Sequence, residues 1–409
     1  IESLSIILTS RCNMRCAYCY QSPERPLSAS WNIVRRALDL SLGWGRGDLE
    51  IGFSGGEPLL EFPLLRRAVR HLERIRPAGR SVIYHISTNG TLLSEEIASF
   101  LEAHLFETQI SFDGVAASQN QRGWGTFPAL DGLLDRLRTT HADFYRRKVA
   151  IALTVTPGNV SRLAKSVSYF LRKEATTIVI APAIAVDGEW EKDRIDELDE
   201  EFARVFEMSA AHCVKTGEIP VQIFRGGEER RPRAPKGRPL CGVGRGTGIV
   251  VDADGEAYGC SMFAGSCVAL DSALVCDARG KMRLGRIDDP ALPRRLAAFP
   301  AAMRRAAMFR RKDRKHSAHG KCAECEYLDR CFVCPACIAF IPGNDDPDAV
   351  SDFCCAFNRI SLKYQDRFPR DPALRASALV PPGIAAEIER WGFLAAGAAL
   401  SPAAFPPGL

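Results

Sequence analysis

Short apolar runs alternate with longer segments of helical spacing along the first 181 residues. The apolar runs end in polar residues and predict six strands, over residues 4–9, 49–53, 82–87, 107–112, 149–155 and 177–181. The segments between them predict five helices, over residues 31–42, 64–74, 94–103, 129–139 and 160–173. This alternation predicts an α/β fold, a parallel sheet with its helices outside. We expect functional loops at the carboxyl ends of the strands.

The rest of the chain changes character in three steps. A charged amphipathic helix over residues 193–215 and a stretch rich in Arg, Gly and Pro over 225–239 predict a linker. A cysteine-rich region follows, and its residues 249–262 predict a β-hairpin around Asp254-Gly255. The end of the chain is rich in Ala and Pro, with a short helical stretch near residues 385–394. We therefore predict four parts, at residues 1–190, 191–239, 240–368 and 369–409.

Composition narrows the class of protein. Of the 409 residues, 46% are hydrophobic and 25% are charged, which is typical of a globular chain. The net charge of +5 is too small to indicate a nucleic-acid partner, and no apolar run approaches the roughly 20 residues that span a bilayer. The 15 cysteines are an odd number, and no signal peptide is visible in a sequence that starts at Ile1 without a Met. We therefore expect reduced, metal-binding thiolates and a cytoplasmic location.

Three cysteines lie together just after the first predicted strand. The spacing Cys12-x3-Cys16-x2-Cys19 places three thiolates in one eight-residue loop. Structural zinc takes four ligands, usually as two pairs. Three close cysteines without a nearby fourth suit a [4Fe–4S] cluster that keeps one iron open for a non-protein ligand.

The residues around these cysteines resemble a known family. The run Cys12-Asn13-Met14-Arg15-Cys16-Ala17-Tyr18-Cys19-Tyr20 resembles the signature loop of radical S-adenosylmethionine enzymes. Further motifs agree in order, each after the next predicted strand: Gly55-Gly56-Glu57-Pro58, Ser87-Thr88-Asn89-Gly90 and Ser111-Phe112-Asp113-Gly114. Arg122 occupies the place of an arginine that often follows the last turn, although Gln119-Asn120 stand where the family usually shows His-Asp. The resemblance covers about residues 4–181.

The resemblance implies a partial six-stranded (β/α) TIM-like barrel and a reaction. Cys12, Cys16 and Cys19 would hold the catalytic [4Fe–4S] cluster, whose open iron would bind the amino and carboxylate groups of S-adenosylmethionine. One electron would cleave this cofactor reductively, and the 5′-deoxyadenosyl radical formed would remove a hydrogen atom from the substrate. Tyr18 resembles the aromatic residue near the adenine, and the turn with Glu57 resembles one that contacts the methionyl ammonium. The residues implied in cofactor binding are Tyr18, Gly55, Gly56, Glu57, Pro58, Ser87, Thr88, Asn89, Ser111, Asp113 and Arg122.

The later cysteines resemble the seven-cysteine pattern of a SPASM domain. The pattern runs through Cys241, Gly255-x4-Cys260, Cys322-x2-Cys325-x5-Cys331-x2-Cys334 and Cys354. Two residues rather than three separate Cys331 and Cys334, so Cys337 is an alternative to Cys334, and Cys355 is likewise an alternative to Cys354. Cys213 stands alone on a predicted helix and is expected to be a packed thiol.

This second resemblance implies two auxiliary [4Fe–4S] clusters in a small α+β domain. One would be held by Cys241, Cys260 and Cys334, with Cys267 or Cys276 as the fourth ligand, and the other by Cys322, Cys325, Cys331 and Cys354. A zinc ribbon formed by Cys322/Cys325 and Cys331/Cys334 is the alternative. We do not expect His316 and His319 to be ligands, because they lie in a basic segment over residues 304–321 that is typical of a solvated helix face.

Enzymes with both domains commonly modify peptides or proteins, so the resemblance implies a peptide or protein maturase. The expected product is a thioether or carbon–carbon cross-link or a related oxidation. Formylglycine formation is discounted, because Ser261 stands where that branch has an acid. The expected partners are a peptide or protein substrate and a reductase, flavodoxin or ferredoxin as electron donor. A ribosomally made peptide would be recognised by a separate leader-peptide recognition protein, by residues upstream of Ile1, or by direct binding.

Two other functions compete with this one. Oxidation of a small molecule such as a haem precursor is the alternative within enzymes, since the Cys331-x2-Cys334 spacing occurs there too. A non-enzymatic iron–sulfur electron carrier is disfavoured, because a carrier needs neither an open iron nor the turn at Gly55.

Overall fold

A nine-stranded sheet is the centre of the computed structural model, which describes residues 3–21, 26–43, 48–184, 190, 194–225, 248–266, 272–305 and 312–368. Its strands are β1 (Ser3–Thr9), β2 (Leu49–Gly55), β3 (Val82–Thr88), β4 (Glu107–Ser111), β5 (Val149–Val155), β6 (Ile178–Pro182), β7 (Gly248–Val251), β8 (Glu256–Tyr258) and β9 (Arg283–Arg286). They lie in the order β6-β5-β4-β3-β2-β1-β7-β8-β9. A separate two-stranded ladder consists of β10 (His316–Ser317) and β11 (Gly320–Lys321).

The helices cover one side of the first six strands and then extend into the cysteine-rich region. They are α1 (Trp31–Leu42), α2 (Phe62–Ile75), α3 (Glu95–Ala103), α4 (Ala116–Gln119), α5 (Phe127–Thr140), α6 (Ala142–Lys148), α7 (Leu163–Arg172), α8 (Ile195–Thr216), α9 (Ala273–Met282), α10 (Leu292–Arg305), α11 (Ala336–Ala339) and α12 (Asp352–Arg367). Ser30 and Ser94 cap α1 and α3 by accepting hydrogen bonds from Ile33 N and Ile97 N, as N-terminal serines commonly do. None of the helices within the described ranges is long and apolar enough to cross a membrane.

The predicted α/β fold is confirmed. The strands β1 to β6 pair in parallel and in chain order, and the helices between them cover the outer face. Along β5 buried residues alternate with half-buried ones, because one face packs on helices and the other faces the interior of the partial barrel. Polar side chains such as Ser5, His85 and Gln109 line that interior. It therefore holds a cavity of about 540 Å³ rather than the layers of large aliphatic side chains that fill a closed barrel.

The predicted hairpin is confirmed as β7 and β8, but its attachment was not expected. The strand β7 pairs in parallel with β1, with Ser3 opposite Gly248 and Ile6 opposite Val251. The strands β8 and β9 then continue the sheet in antiparallel fashion. One sheet therefore runs without interruption from the barrel into the cysteine-rich region.

The helix α8, predicted as part of a linker, packs between the barrel and α12. The carboxylate of Glu201 accepts a hydrogen bond of 2.8 Å from Ala164 N at the start of α7. The rings of Phe202 and Phe357 on α12 lie 5.2 Å apart, centre to centre. The predicted four-part division remains a prediction, and residues 226–247 and 369–409 of it lie outside the described residues.

The cysteine-rich region contacts the chain just beyond the first and the last strand of the open barrel, β1 and β6. Phe340, which follows α11, stacks on Tyr20 beyond β1 with ring centres 6.4 Å apart. The thiol of Cys354 on α12 lies 3.8 Å from the carbonyl oxygen of Ala183 just beyond β6. Because both contacts follow the carboxyl ends of strands, the region covers the side of the barrel where the strand-end loops meet.

Candidate active site

The loop with Cys12, Cys16 and Cys19 follows β1 and places three thiols close enough to interact electrostatically. Burial raises the pKa of Cys16 to about 11, Arg122 lowers it, and Cys19 and Cys12 raise it again. Burial likewise raises the pKa of Cys19, with Cys12 adding to the rise. Thiols that disfavour one another's ionised form are stabilised as thiolates by a cationic iron centre. The donor set of three thiols in one loop therefore fits a cluster with one open iron.

The glycines of the Gly55-Gly56-Glu57-Pro58 turn let the end of β2 approach this loop. The amide of Gly56 donates to the Thr9 carbonyl oxygen, and that of Glu57 donates to the Arg11 carbonyl oxygen, both at 2.8 Å. A Cβ atom on Gly55 would lie 2.0 Å from the Thr9 oxygen, and one on Gly56 would lie 2.3 Å from the Arg11 oxygen. Gly55 also has a φ of 142°, which favours glycine. The turn therefore holds the base of the cysteine loop through its backbone.

The carboxylate of Glu57 points inward. It is fully buried and accepts hydrogen bonds from Leu59 N at 3.0 Å, Thr88 Oγ1 at 2.7 Å and Asn89 N at 2.7 Å. Burial raises its pKa, and these three bonds oppose the rise. Glu57 thus ties the turn after β2 to the turn after β3, whereas the resemblance implied contact between this turn and an ammonium group. Pro58 is buried beside it at the start of a short 3-10 helix.

The turn after β3 brings polar groups to the cysteine loop. The side-chain amide of Asn89 donates to Asn13 Oδ1 at 2.8 Å and lies 3.9 Å from the Cys12 sulfur. Thr88 is buried, as described above, while Ser87 faces the barrel interior and accepts a hydrogen bond of 3.2 Å from Gln109 Nε2. The three predicted residues of this turn therefore have different positions, and Asn89 is the one directed at the cysteines.

Asp113, in the turn after β4, connects the cysteine loop, Arg122 and β5 through hydrogen bonds. Its buried carboxylate accepts from Arg122 Nε at 2.9 Å, from Thr154 N at 3.0 Å and from the hydroxyl of Tyr18. Burial opposes the charge on Arg122, but Asp113, Tyr18 and Cys16 together outweigh it and raise the pKa of the guanidinium. The guanidinium lies 5.3 Å from the Tyr18 ring centre, within cation–π range. Ser111 ends β4, half-buried, beside this group.

Two residues of the site, Gln121 and Thr154, were not predicted from the sequence. The carbonyl of Gln121 accepts a hydrogen bond of 2.7 Å from Ala17 N, in the middle of the cysteine loop. Arg122 also donates to Thr154 Oγ1 at 3.0 Å. Neither residue belongs to a motif. A polar residue near the carboxyl end of β5 is the signal that could have indicated Thr154.

In the cysteine-rich region, four thiols line one cavity of about 40 Å³. They belong to Cys322, Cys325, Cys331 and Cys355. Burial raises the pKa of Cys322 to about 11 and that of Cys331 to about 12, and the neighbouring thiols add to both rises. Four thiols around one cavity fit a tetrathiolate cluster. Among the described residues, no three His, Cys, Asp or Glu side chains are placed to hold a single metal ion.

Cys355 rather than Cys354 lines this cavity, which favours the alternative that the sequence had left open. Successive residues of an α-helix point about 100° apart, so neighbours on α12 face different surroundings. The thiol of Cys355 accepts a hydrogen bond of 3.1 Å from Ser317 Oγ beside the cavity. The thiol of Cys354 instead faces the Ala183 carbonyl and Cys337. The sequence had left both cysteines open, and we now expect Cys355 to be the ligand.

The remaining cysteines differ in their burial and in their neighbours. The thiol of Cys337 donates to the sulfur of Cys334 and so lowers the pKa of Cys334, while Cys260 is half-buried after β8. Cys276 is exposed on α9, and Cys213 is buried on α8, as expected of a packed thiol. Cys241 and Cys267 lie outside the described residues. Of the two histidines, His316 bonds Asp346 at 2.9 Å, and His319 lines the cavity of the four thiols.

We expect Cys355→Ala to remove about four irons per chain, whereas Cys354→Ala should keep the cluster in this cavity. The measurement is iron and sulfide content of the anaerobically reconstituted protein, with Cys213→Ala as the control for loss of a buried thiol. Retention of full iron in Cys355→Ala, with loss in Cys354→Ala, would restore the original assignment.

Comparison with known proteins agrees with these observations. Residues 6–152 match the family model of the Radical SAM superfamily. A cysteine-type anaerobic sulfatase-maturating enzyme of Clostridium perfringens is 23% identical over 88% of this chain and 95% of its own length. An uncharacterized protein of Methanocaldococcus jannaschii is 28% identical over 42% of this chain. This chain spans 59% of that relative's length and 35% of that of a probable GTP 3′,8-cyclase of Methanocella arvoryzae.

Solved structures match over most of the chain. The structure of anSMEcpe with bound AdoMet has a TM-score of 0.70 at 19% identity, and the match covers 91% of this chain and 98% of that one. SuiB of Streptococcus suis, bound to its precursor peptide SuiA, has a TM-score of 0.54 at 14% identity, over 87% of this chain and 75% of that one. At these sequence identities the likeness shows a shared fold and nothing more specific.

Proposed function

We propose that this chain, in which residues 6–152 form a radical SAM domain, is an enzyme that modifies a ribosomally made peptide or protein. The observation that carries the proposal is the convergence of strand-end turns from β2, β3 and β4 on the loop of Cys12, Cys16 and Cys19. Backbone bonds from Gly56 and the carbonyl of Gln121 hold that loop in place. Such contacts would keep a reactive group in a fixed position at this end of the barrel.

Each part of the site has a role in the proposal. Cys12, Cys16 and Cys19 would hold the [4Fe–4S] cluster, which with S-adenosylmethionine supplies a carbon radical that removes a hydrogen atom from the substrate. The backbone of Gly55 and Gly56 and the side chain of Asn89 would meet the methionyl end of the cofactor. Tyr18, fixed by Asp113 and Arg122, would border its adenine. Ser87 and Ser111 face the barrel interior, where the substrate carbon would lie.

The peptide substrate is supported by the relatives. The clostridial relative, which matches along nearly its whole length, is named for sulfatase maturation, and SuiB is solved with a precursor peptide. Ser261 follows Cys260 where the sulfatase-maturing branch has an acid, so we favour a thioether or carbon–carbon cross-link over formylglycine. Two auxiliary clusters would then take up the electron that an oxidative cross-link releases. A reductase, flavodoxin or ferredoxin as donor and a separate leader-binding protein are part of the proposal.

Oxidation of a small molecule is the second candidate. The spacing of two residues between Cys331 and Cys334 favours it, and so does the polar cavity of about 540 Å³ in the barrel interior, which is large enough for a small ligand.

Deuterium transfer tests the proposal. The reconstituted protein is incubated with dithionite, S-adenosylmethionine and peptides encoded by small open reading frames beside its gene, prepared with deuterated side chains. We expect deuterium in 5′-deoxyadenosine and a peptide lighter by two hydrogens, because a cross-link removes two. Cofactor cleavage that no peptide stimulates or labels would exclude the peptide reading, while haem precursors under the same conditions test the alternative.

A further inference from the structure

Two lysines lie beside the thiols of Cys322, Cys325, Cys331 and Cys355. Both come from the basic segment over residues 304–321, which we had expected to be a solvated helix face. Lys312 lines the cavity of these thiols and is half-buried. The side chain of Lys315 is fully buried, and its charge opposes the rise in the pKa of Cys322. The expectation of a solvated face is therefore wrong for Lys315, which follows a 3-10 turn over Lys312–Arg314.

The partners of Lys312 are neutral. Its ammonium donates to the carbonyl oxygens of Cys331 at 2.6 Å and Leu328 at 3.1 Å. Both acceptors belong to the loop that carries one of the four thiols. Burial lowers the pKa of Lys312, and the thiol of Cys331, the carboxylate of Asp329 and the thiol of Cys322 oppose this fall. A buried ammonium between carbonyls and thiols is stabilised when those thiols are anionic.

Two further cations lie near the same thiols. The ammonium of Lys315 donates to the Pro347 carbonyl at 3.0 Å and to Asp348 Oδ1 at 3.4 Å. Arg359 lines the cavity, and its guanidinium donates to the His319 carbonyl at 3.0 Å. Asp348 thus partly compensates Lys315, whereas Lys312 donates to carbonyl oxygens and has Asp329 as the carboxylate that acts on its charge.

We propose that Lys312, assisted by Lys315 and Arg359, balances the charge of an anionic tetrathiolate cluster in this cavity and raises its reduction potential. A [4Fe–4S] centre with four thiolates is a dianion, and its reduction adds one more negative charge. A cation that stays in place during reduction stabilises the reduced form more than the oxidised one, and a buried cation does so with little screening. Lys312 is therefore a positioning and tuning residue of the auxiliary cluster.

The test is a redox titration of that cluster followed by electron paramagnetic resonance. The background is the full chain with Cys12, Cys16 and Cys19 changed to alanine, which leaves the auxiliary clusters, and Cys322→Ala identifies the signal by its loss. We expect Lys312→Met to move the midpoint to more negative potential at unchanged iron content. Lys312→Arg should stay near the parent value. Lys321→Met is the matched control, because this lysine lines the same cavity from an exposed position and is screened by solvent.

Several results would overturn the proposal. An unchanged midpoint in Lys312→Met, an equal shift in Lys321→Met, or stoichiometric zinc in place of this cluster would each do so. Should Lys312→Met fail to retain the cluster, retention in Lys312→Arg supports a need for charge, and loss in both variants contradicts it. The titration contains neither S-adenosylmethionine nor peptide, so its outcome is independent of the proposed reaction.

Discussion

Changing Cys12, Cys16 and Cys19 together to alanine is expected to abolish reductive cleavage of S-adenosylmethionine. Without these thiols no iron is available to bind the cofactor and pass it an electron, and the other described cysteines lie in separate groups. Three cubanes correspond to about twelve irons per chain, so the triple variant should retain about eight. The measurements are 5′-deoxyadenosine after addition of dithionite and the iron content of the reconstituted protein.

A buried cysteine outside the clusters provides the control for this prediction. Cys213→Ala removes a packed thiol from α8 and should leave both cleavage and iron content unchanged. Cleavage that persists in the triple variant would refute the assignment of the radical cluster. Stoichiometric zinc together with only four irons would instead support a zinc ribbon at the later cysteines.

Gly55→Ala should have the second largest effect, although this residue contributes no side chain. Its methyl group would lie 2.0 Å from the Thr9 carbonyl oxygen at a φ of 142°. The strand ends must then separate, which breaks the bond from Gly56 N to Thr9 and displaces the base of the cysteine loop. We expect a loss of about 2–5 kcal/mol in the free energy of unfolding and failure to load the radical cluster.

Gly132→Ala is the matched control. Gly132 lies in α5, is exposed, and has no atom within 4 Å of the position of a new Cβ. Alanine there should increase stability by roughly 0.5–1 kcal/mol, because glycine is a poor helix former. Thermal unfolding and iron content of the two variants are compared. A Gly55→Ala protein with full iron and normal stability would mean that the turn does not hold the loop.

Much of the barrel could be predicted because its signals are local. The apolar runs that became β1 to β6 have the length and boundaries of buried strands, and the turns after β2, β3 and β4 stand where the runs end. The parallel order of those strands then places the turns beside the cysteine loop without further information. Glu57 shows the limit of this reasoning. A motif indicates that a carboxylate is present but not that it points inward to Thr88 and Asn89.

The cysteine-rich region was harder, because its contacts depend on long-range packing. The helix α12 was not predicted, and without it nothing distinguishes Cys354 from Cys355, which point to different surroundings only once helical geometry applies. The same holds for Lys312 and Lys315. Their basic segment has the composition of a solvated face. Only the folded chain shows that the loop of Cys331 partly covers Lys312 and that Lys315 is buried beside Asp348.

The pairing of β7 with β1 has a consequence for how the chain is made. Residues 3–6 are synthesised well before their second hydrogen-bonding partner, residues 248–251, which follow β6 in the chain. During that interval β1 is an unpaired edge of Ile and Leu residues, a template for aggregation. Contacts so distant in sequence also form slowly. A fragment that ends after β6 would therefore expose this edge permanently, and we expect it to aggregate more readily than the whole chain.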